Sequence, residues 1–258
     1  MNLLFTVCGR AGSMGVKGKN LRDFCGVPLL WYTLAAISLY KDKYLFEGDQ
    51  IKTVLNTDSE DLVRLSAAVP DPPFFLKRDP AMAGSSAPKV SVIRDCLLRA
   101  EAHWNMAFDM VVDLDITSPL RTVEDIRAAV EKKRAHLDAD VVYSVTPSRR
   151  NPYFNMVRKE DGFFVKAVPS SFTCRQQAPA FYDMNASIYA YAPKPLLEKR
   201  PETFLNDHTD IVVMLDTGIL DIDSEWDYEL MQVIANYLFN QRAEFQEILK
   251  RANMWMKS

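Results

Sequence analysis

Two kinds of apolar pattern alternate along the chain: short unbroken blocks, and longer stretches with helical spacing. Leu3-Leu4-Phe5-Thr6-Val7 is a short block that predicts a strand, and it breaks into the glycine-rich segment from Gly9 to Asn20. Pro28 opens an apolar stretch that predicts a helix through Tyr40, with proline at a first-turn position that tolerates it. Ile51 to Leu55 predicts a second strand. In Asn56-Thr57-Asp58-Ser59-Glu60 a hydroxyl or Asp cap precedes Leu62, Leu65 and Ala68 at helical spacing. The rhythm continues with a helix over Val90 to Trp104, a buried strand over Met110 to Leu114 and a helix over Thr122 to His136. Asp140 to Val145 and Ser187 to Tyr191 add strands, and Glu225 to Arg251 predicts one long C-terminal helix. Strand, loop and helix recurring in this order predict an α/β fold with three layers, a mostly parallel central sheet covered by helices on both faces.

The rhythm fails between Pro147 and Asn185, where prolines at 147, 152, 169 and 179 accompany aromatics and short strand-like pieces such as Phe163-Phe164-Val165. Residues 147–185 read either as a long surface loop or as an inserted arm that packs on a second subunit. The arm is the expectation, because a structureless stretch this long is uncommon in a compact domain and because of the family resemblance given below. The 258 residues otherwise fit a single domain, 1–258, with a full core.

Composition narrows the partners. No apolar run approaches the roughly 18 residues a membrane span needs, and Leu3 to Val7 is too short for a signal segment, which predicts a cytoplasmic protein. The net charge of −3, with signs mixed along the chain, gives no footprint for nucleic acid. Cys8, Cys25, Cys96 and Cys174 are scattered, with no metal-ligand spacing, and read as reduced thiols.

Three segments carry chemistry. Gly9, Gly12, Gly15 and Gly18 follow the first strand at intervals of three, where bare backbone N–H groups can approach a phosphate, and Arg10, Lys17 and Lys19 supply cations. The segment is neither a P-loop nor a dinucleotide fingerprint, and a plain surface turn stays open at this point. Asp221 and Asp223, two apart on an extended segment, present carboxylates to one side as Mg²⁺ requires; the same acids also fit a capping turn before the next helix. Asp115 to Arg121 turns through Pro119 into a helix, and by itself reads as turn and cap chemistry.

Taken together, and in order, these segments resemble the acylneuraminate cytidylyltransferases. Arg10 to Asn20 is similar to their R-G-G-S-K-G-x-x-x-K-N loop, Thr117 to Arg121 repeats T-S-P-L-R, and Asp221 to Asp227 repeats D-I-D-x-E-x-D. Thr57-Asp58-Ser59, Arg78 and Arg175-Gln176-Gln177 followed by Asn185 also fit, so the likeness spans nearly the whole chain. It implies a nucleotidyltransferase fold, CTP and Mg²⁺ as requirements, a small acidic 2-keto-3-deoxy sugar as acceptor, and a homodimer joined by the arm. By position it implies that Arg10, Lys19 and Asp223 are catalytic, and that Asp221 and Asp223 hold the metal. Gly9, Ala11, Gly12, Ser13, Lys17, Asn20, Arg78 and Asp115 would surround the nucleotide; Thr117, Arg175, Gln176, Asp183 and Asn185 would line the sugar pocket.

This chain departs from the pattern at several of these positions. Met14 replaces the loop lysine and Ala11 a glycine; Asp115-Ile116 stands where glutamine-proline is usual. An acid so near a triphosphate would be repelled unless it binds metal or hydrogen-bonds the sugar, so Asp115 is a metal candidate too. Pro88-Lys89 occupies a place for small hydroxyl residues, and Asp183 lies where an arginine is common. These changes point to an acceptor other than N-acetylneuraminate, such as legionaminate, pseudaminate or an amino-octulosonate. Two alternatives remain: transfer to a sugar 1-phosphate, and a catalytically silent nucleotide-binding relative, the latter motivated by Met14.

Overall fold

A computed structural model describes residues 1–12, 15–84, 87–201, 204–218 and 221–256. Ser13 and Met14, both singled out in the sequence, lie outside the described residues.

In chain order, strand β1 (Asn2–Gly9) leads through the glycine segment and the short hairpin β2 (Asp23–Phe24) and β3 (Val27–Pro28) to helix α1 (Leu29–Tyr44). Strand β4 (Gln50–Thr57), helix α2 (Glu60–Ala67) and strand β5 (Phe74–Lys77) follow, then α3 (Lys89–Trp104), β6 (Met110–Leu114), α4 (Val123–Ala135) and β7 (Val141–Pro147). Next come the hairpin strands β8 (Val157–Glu160) and β9 (Phe163–Lys166), β10 (Tyr182–Tyr191), α5 (Pro193–Glu198) and β11 (Thr209–Val213). Helices α6 (Glu225–Gln241) and α7 (Ala243–Trp255) end the chain.

Among the described residues the main sheet has seven strands in the order β11-β7-β10-β6-β1-β4-β5. Only β10 runs antiparallel to its neighbours, β6 and β7; the other pairings are parallel. The mostly parallel three-layer architecture expected from the sequence is therefore present. Period-two alternation splits β1 between two cores. Leu3, Phe5 and Val7 face the cluster built with α1, α4, α6 and α7, while Leu4 faces the cluster built with α3 and α5. Helix α1 is buried on nearly every side, from Leu29 to Tyr40, and Trp31 meets Trp255 of α7 edge-on at 6.0 Å. That explains why its sequence is apolar almost without interruption.

Local chemistry fixes several boundaries. Thr122 and Asp125 form a reciprocal capping box at α4, and Ser224 and Asp227 form another at α6. Ser59 caps α2 by accepting from the Leu62 N–H at 3.3 Å.

Two expectations change. The predicted C-terminal helix is two helices, because Arg242 adopts an extended backbone (φ −133°, ψ 117°) between them. No proline or glycine marks this break. It lets α7 turn back onto α1, burying Phe245, Ile248, Ala252 and Trp255. The end of the proposed arm also shifts: Tyr182, Asp183 and Met184 pair with Pro147, Thr146 and Val145 in the main sheet. An irregularity after Met184, with Ala186 at φ 52°, interrupts the alternation that would have revealed them as strand. What stands apart is the segment carrying the β8–β9 hairpin.

Candidate active site

Parallel sheets place ligands where neighbouring crossovers leave in opposite directions, at the carboxyl ends of the strands. From β1 the chain crosses to β4 and β5 on one side, and then returns to add β6 on the other. At the ends of β1 and β6 lies a cavity of about 360 Å³.

The glycine segment forms one wall. Gly9 packs closely: a Cβ there would lie 2.8 Å from Leu62 Cδ1 and 2.9 Å from Ile116 Cδ1, so the ends of both buried side chains would have to shift. Gly15 passes so close to the acidic segment that a Cβ would lie 1.9 Å from the Asp223 carbonyl oxygen. The Ala11 N–H donates to Asp58 Oδ1 at 2.7 Å, fastening the segment to the end of β4. Arg10 lines the cavity, and its guanidinium makes no hydrogen bond or ion pair among the described residues. Lys19 donates to the Ile222 carbonyl and lies 3.5 Å from Asp223 Oδ1, so one cation joins the glycine segment to the acidic segment. Asn20 is buried and donates to the Arg10 carbonyl at 3.2 Å.

Arg78 enters from the end of β5. It is buried, with Nε donating to Asn56 Oδ1 at 2.8 Å and Nη2 to the Asn56 carbonyl at 3.1 Å. Just past the end of β6, Asp115 Oδ1 accepts from the Thr117 N–H at 3.0 Å and the Thr117 hydroxyl at 2.9 Å. Asp115 Oδ2 lies 2.6 Å from Lys89 Nζ, which also lies 2.8 Å from Asp113 Oδ2. Burial raises the pKa of Asp115, but the Lys89 charge and these hydrogen bonds outweigh it and hold the carboxyl well below its usual range.

Asp221 is the opposite case. Burial, and then the charge of Asp115, push its pKa up, and the Thr117 hydrogen bond and the Lys19 charge offset this only in part. Asp223 beside it is 80% exposed on its side chain. Hard carboxylate oxygens with spare acceptor capacity suit Mg²⁺, which binds through one or two carboxylates together with substrate phosphates and water. Asp221 and Asp223 therefore fit such an ion, although no group of three or more His, Cys, Asp or Glu that could hold a metal occurs among the described residues.

The structure thus gathers Arg10, Lys19, Asn20, Arg78, Asp115, Thr117, Asp221 and Asp223 around one cavity. Lys17 is exposed and does not line it, nor do Ala11 and Gly12. Arg175 and Gln176 lie elsewhere, in a cleft of about 410 Å³ at the base of the hairpin segment, where Arg175 donates to the Arg149 carbonyl. Asn185 is buried among Ser144, Ser187 and Met214, with Oδ1 accepting from Ser144 at 2.6 Å. Asp183 sits on β10 opposite Thr146. Arg121 is fully buried and donates to Ser187, Thr33 and two carbonyls, so it braces the turn from Asp115 to Ser118.

Lys89 and Asp113 were not among the expected site residues. Asp113 could have been found: a lone carboxylate inside an apolar strand must meet a partner. Its partner, Lys89, lies on another element and was visible only as a departure from the resembled pattern.

A parallel sheet with a cation-bearing glycine segment and paired acids at its switch point defines an α/β fold of the nucleotidyltransferase class. A family model described as cytidylyltransferase matches residues 5–214, and the chain belongs to that family. It is 36% identical over 232 residues to a CMP-N,N'-diacetyllegionaminic acid synthase of Campylobacter jejuni, covering 90% of this chain and 94% of the relative. It is 35% identical over the same length and coverage to a post-translational flagellin modification protein B of Campylobacter coli. Among solved structures, CMP:2-keto-3-deoxy-manno-octonic acid synthetase complexed with CTP shares the fold, with a TM-score of 0.62 and 16% identity over 92% of this chain and 99% of that one.

Proposed function

We propose that this chain transfers CMP from CTP to the anomeric hydroxyl of a sialic-acid-like 2-keto-3-deoxy sugar acid, with a diacetylated legionaminate as acceptor. The observation that carries this reading is the convergence of Arg10, Lys19 and the Asp221–Asp223 segment on one cavity, with Lys19 bonded to the acidic segment. The name of the relative at 36% identity supports the cytidylyl half and a legionaminate-type acceptor.

In the reaction, the acceptor's anomeric oxygen bonds to the α-phosphorus. The bond from that phosphorus to the bridging oxygen breaks, its electron pair leaves with pyrophosphate, and the hydroxyl proton passes to solvent. Arg10 and Lys19 meet the triphosphate charge, and Asn20 and Arg78 bound the nucleoside end. Asp221 and Asp223 would hold Mg²⁺, which when bound neutralises charge on the phosphates. The protein's contribution is mostly positioning.

The segment carrying β8 and β9 serves a second copy. Phe163, Phe164 and Val157 are 76%, 72% and 65% exposed, an apolar surface that solvent disfavours. In a homodimer this hairpin would pack on the partner, and Arg175 and Gln176 at its base would serve the acceptor side.

Pyrophosphate release, measured with each nucleoside triphosphate against a panel of keto-acids, tests the assignment. CTP with N,N'-diacetyllegionaminate should turn over, with N-acetylneuraminate at least about tenfold poorer. Turnover only with a sugar 1-phosphate would replace the reading, and silence with every pair would overturn it.

A further inference from the structure

The two departures from the resembled pattern at positions 89 and 115 are far apart in sequence but form one ion pair in the structure, with Lys89 Nζ 2.6 Å from Asp115 Oδ2. Asp113 is fully buried and tied to the Thr6 hydroxyl at 2.7 Å, so its hold on Lys89 at 2.8 Å fixes the ammonium in place. Both oxygens of Asp115 are engaged: Oδ1 by Thr117, and Oδ2 by Lys89. An ammonium has three donors, and two are taken by these carboxylates. Lys89 also lies 5.6 Å from the Tyr189 ring centroid and lines the cavity with Asp115 and Thr117.

A bare carboxylate at Asp115 would repel both CTP and an acidic acceptor. Paired with Lys89 it offers the cavity a spare donor beside acceptor lone pairs, a combination that matches an amide or a hydroxyl group. Building on the transferase reading above, we propose that Lys89 is a specificity-determining residue. Pinned by Asp113, it turns Asp115 into a reader of a polar substituent on the sugar acid and keeps Asp115 out of metal coordination.

The test compares wild type with Lys89→Met, Asp115→Asn and the double variant. For each, kcat and KM are measured for N,N'-diacetyllegionaminate, together with CTP affinity by calorimetry and the Mg²⁺ midpoint of activity. Lys89→Met should raise acceptor KM about tenfold while CTP affinity changes less than about twofold, and adding Asp115→Asn should cause little further loss. Asp115→Asn leaves the Lys89–Asp113 pair intact, so it remains informative if Lys89→Met does not fold; it too should raise acceptor KM and leave the Mg²⁺ midpoint unchanged. An unchanged acceptor KM in both single variants would overturn the proposal, as would a large rise in the Mg²⁺ midpoint with Asp115→Asn. A wild type inactive on every acid would overturn the transferase reading and this inference with it. An active wild type whose variants all keep its acceptor KM would overturn the inference alone.

Discussion

The cavity at the end of β1 and the hairpin segment carrying β8 and β9 organise polar and apolar groups in opposite ways. In the cavity, most charged side chains are partly or fully withdrawn from solvent and tied to a named partner: Lys19 to Ile222 and Asp223, Arg78 to Asn56, Lys89 to Asp113 and Asp115. In the hairpin, apolar side chains stand in solvent, and its strands pair only with each other. A buried charge network is specific only when satisfied within the chain, whereas an exposed apolar hairpin becomes satisfied by something outside it. The first region satisfies most of its charges within one chain. The second leaves its apolar side chains in solvent.

The largest effect should come from breaking the cavity without disturbing the fold. Asp223→Asn removes an exposed carboxylate whose ion-pair partner among the described residues is Lys19, so turnover should fall about 100-fold or more while the melting temperature holds. A coincident loss of both would show that Asp223 is structural. Gly15→Ala comes next. The added methyl must displace the Asp223 backbone, and turnover should drop on the order of tenfold through a misplaced acidic segment, checked by steady-state kinetics.

In the other region, Phe163→Glu with Phe164→Glu should shift sedimentation from dimer to monomer. It should cost little stability in the monomer, because neither ring is buried there. An unchanged sedimentation coefficient would mean that this face is not the contact.

The smallest effect has the opposite sign. Asp221 has a raised pKa in the fold, so its ionisation opposes folding above the unfolded carboxylate range, and the cost is relieved as pH falls through the raised value. Asp221→Asn should therefore raise the melting temperature of the metal-free protein slightly at neutral pH, while turnover is lost. A melting temperature that falls would mean that Asp221 is already compensated in the fold.

Much of the cavity was legible because its parts are local. The glycine spacing, the strand that precedes it and the Asp221–Asp223 pair each lie within a few residues, so short-range geometry alone assigns them a character. The capping boxes at Thr122 and Ser224 were similarly accessible, and Asp227 proved to be a cap. What failed was non-local. Tyr182 to Met184 looked like arm because an irregular step hides their alternation, and only pairing with β7 makes them sheet.

The sequence by itself determined the alternation of strands and helices, the glycine turn and the acid pair, because side-chain periodicity and backbone freedom act over a few residues. Tertiary structure alone decided which of the candidates share a cavity. It separated Arg175, Gln176 and Asn185 from Arg10 and Lys19, and it joined Lys89 to Asp113 and Asp115. The physical reason is that a buried charge is stable only beside its partner, and that partner is chosen by how distant strands and helices pack, which no local pattern records.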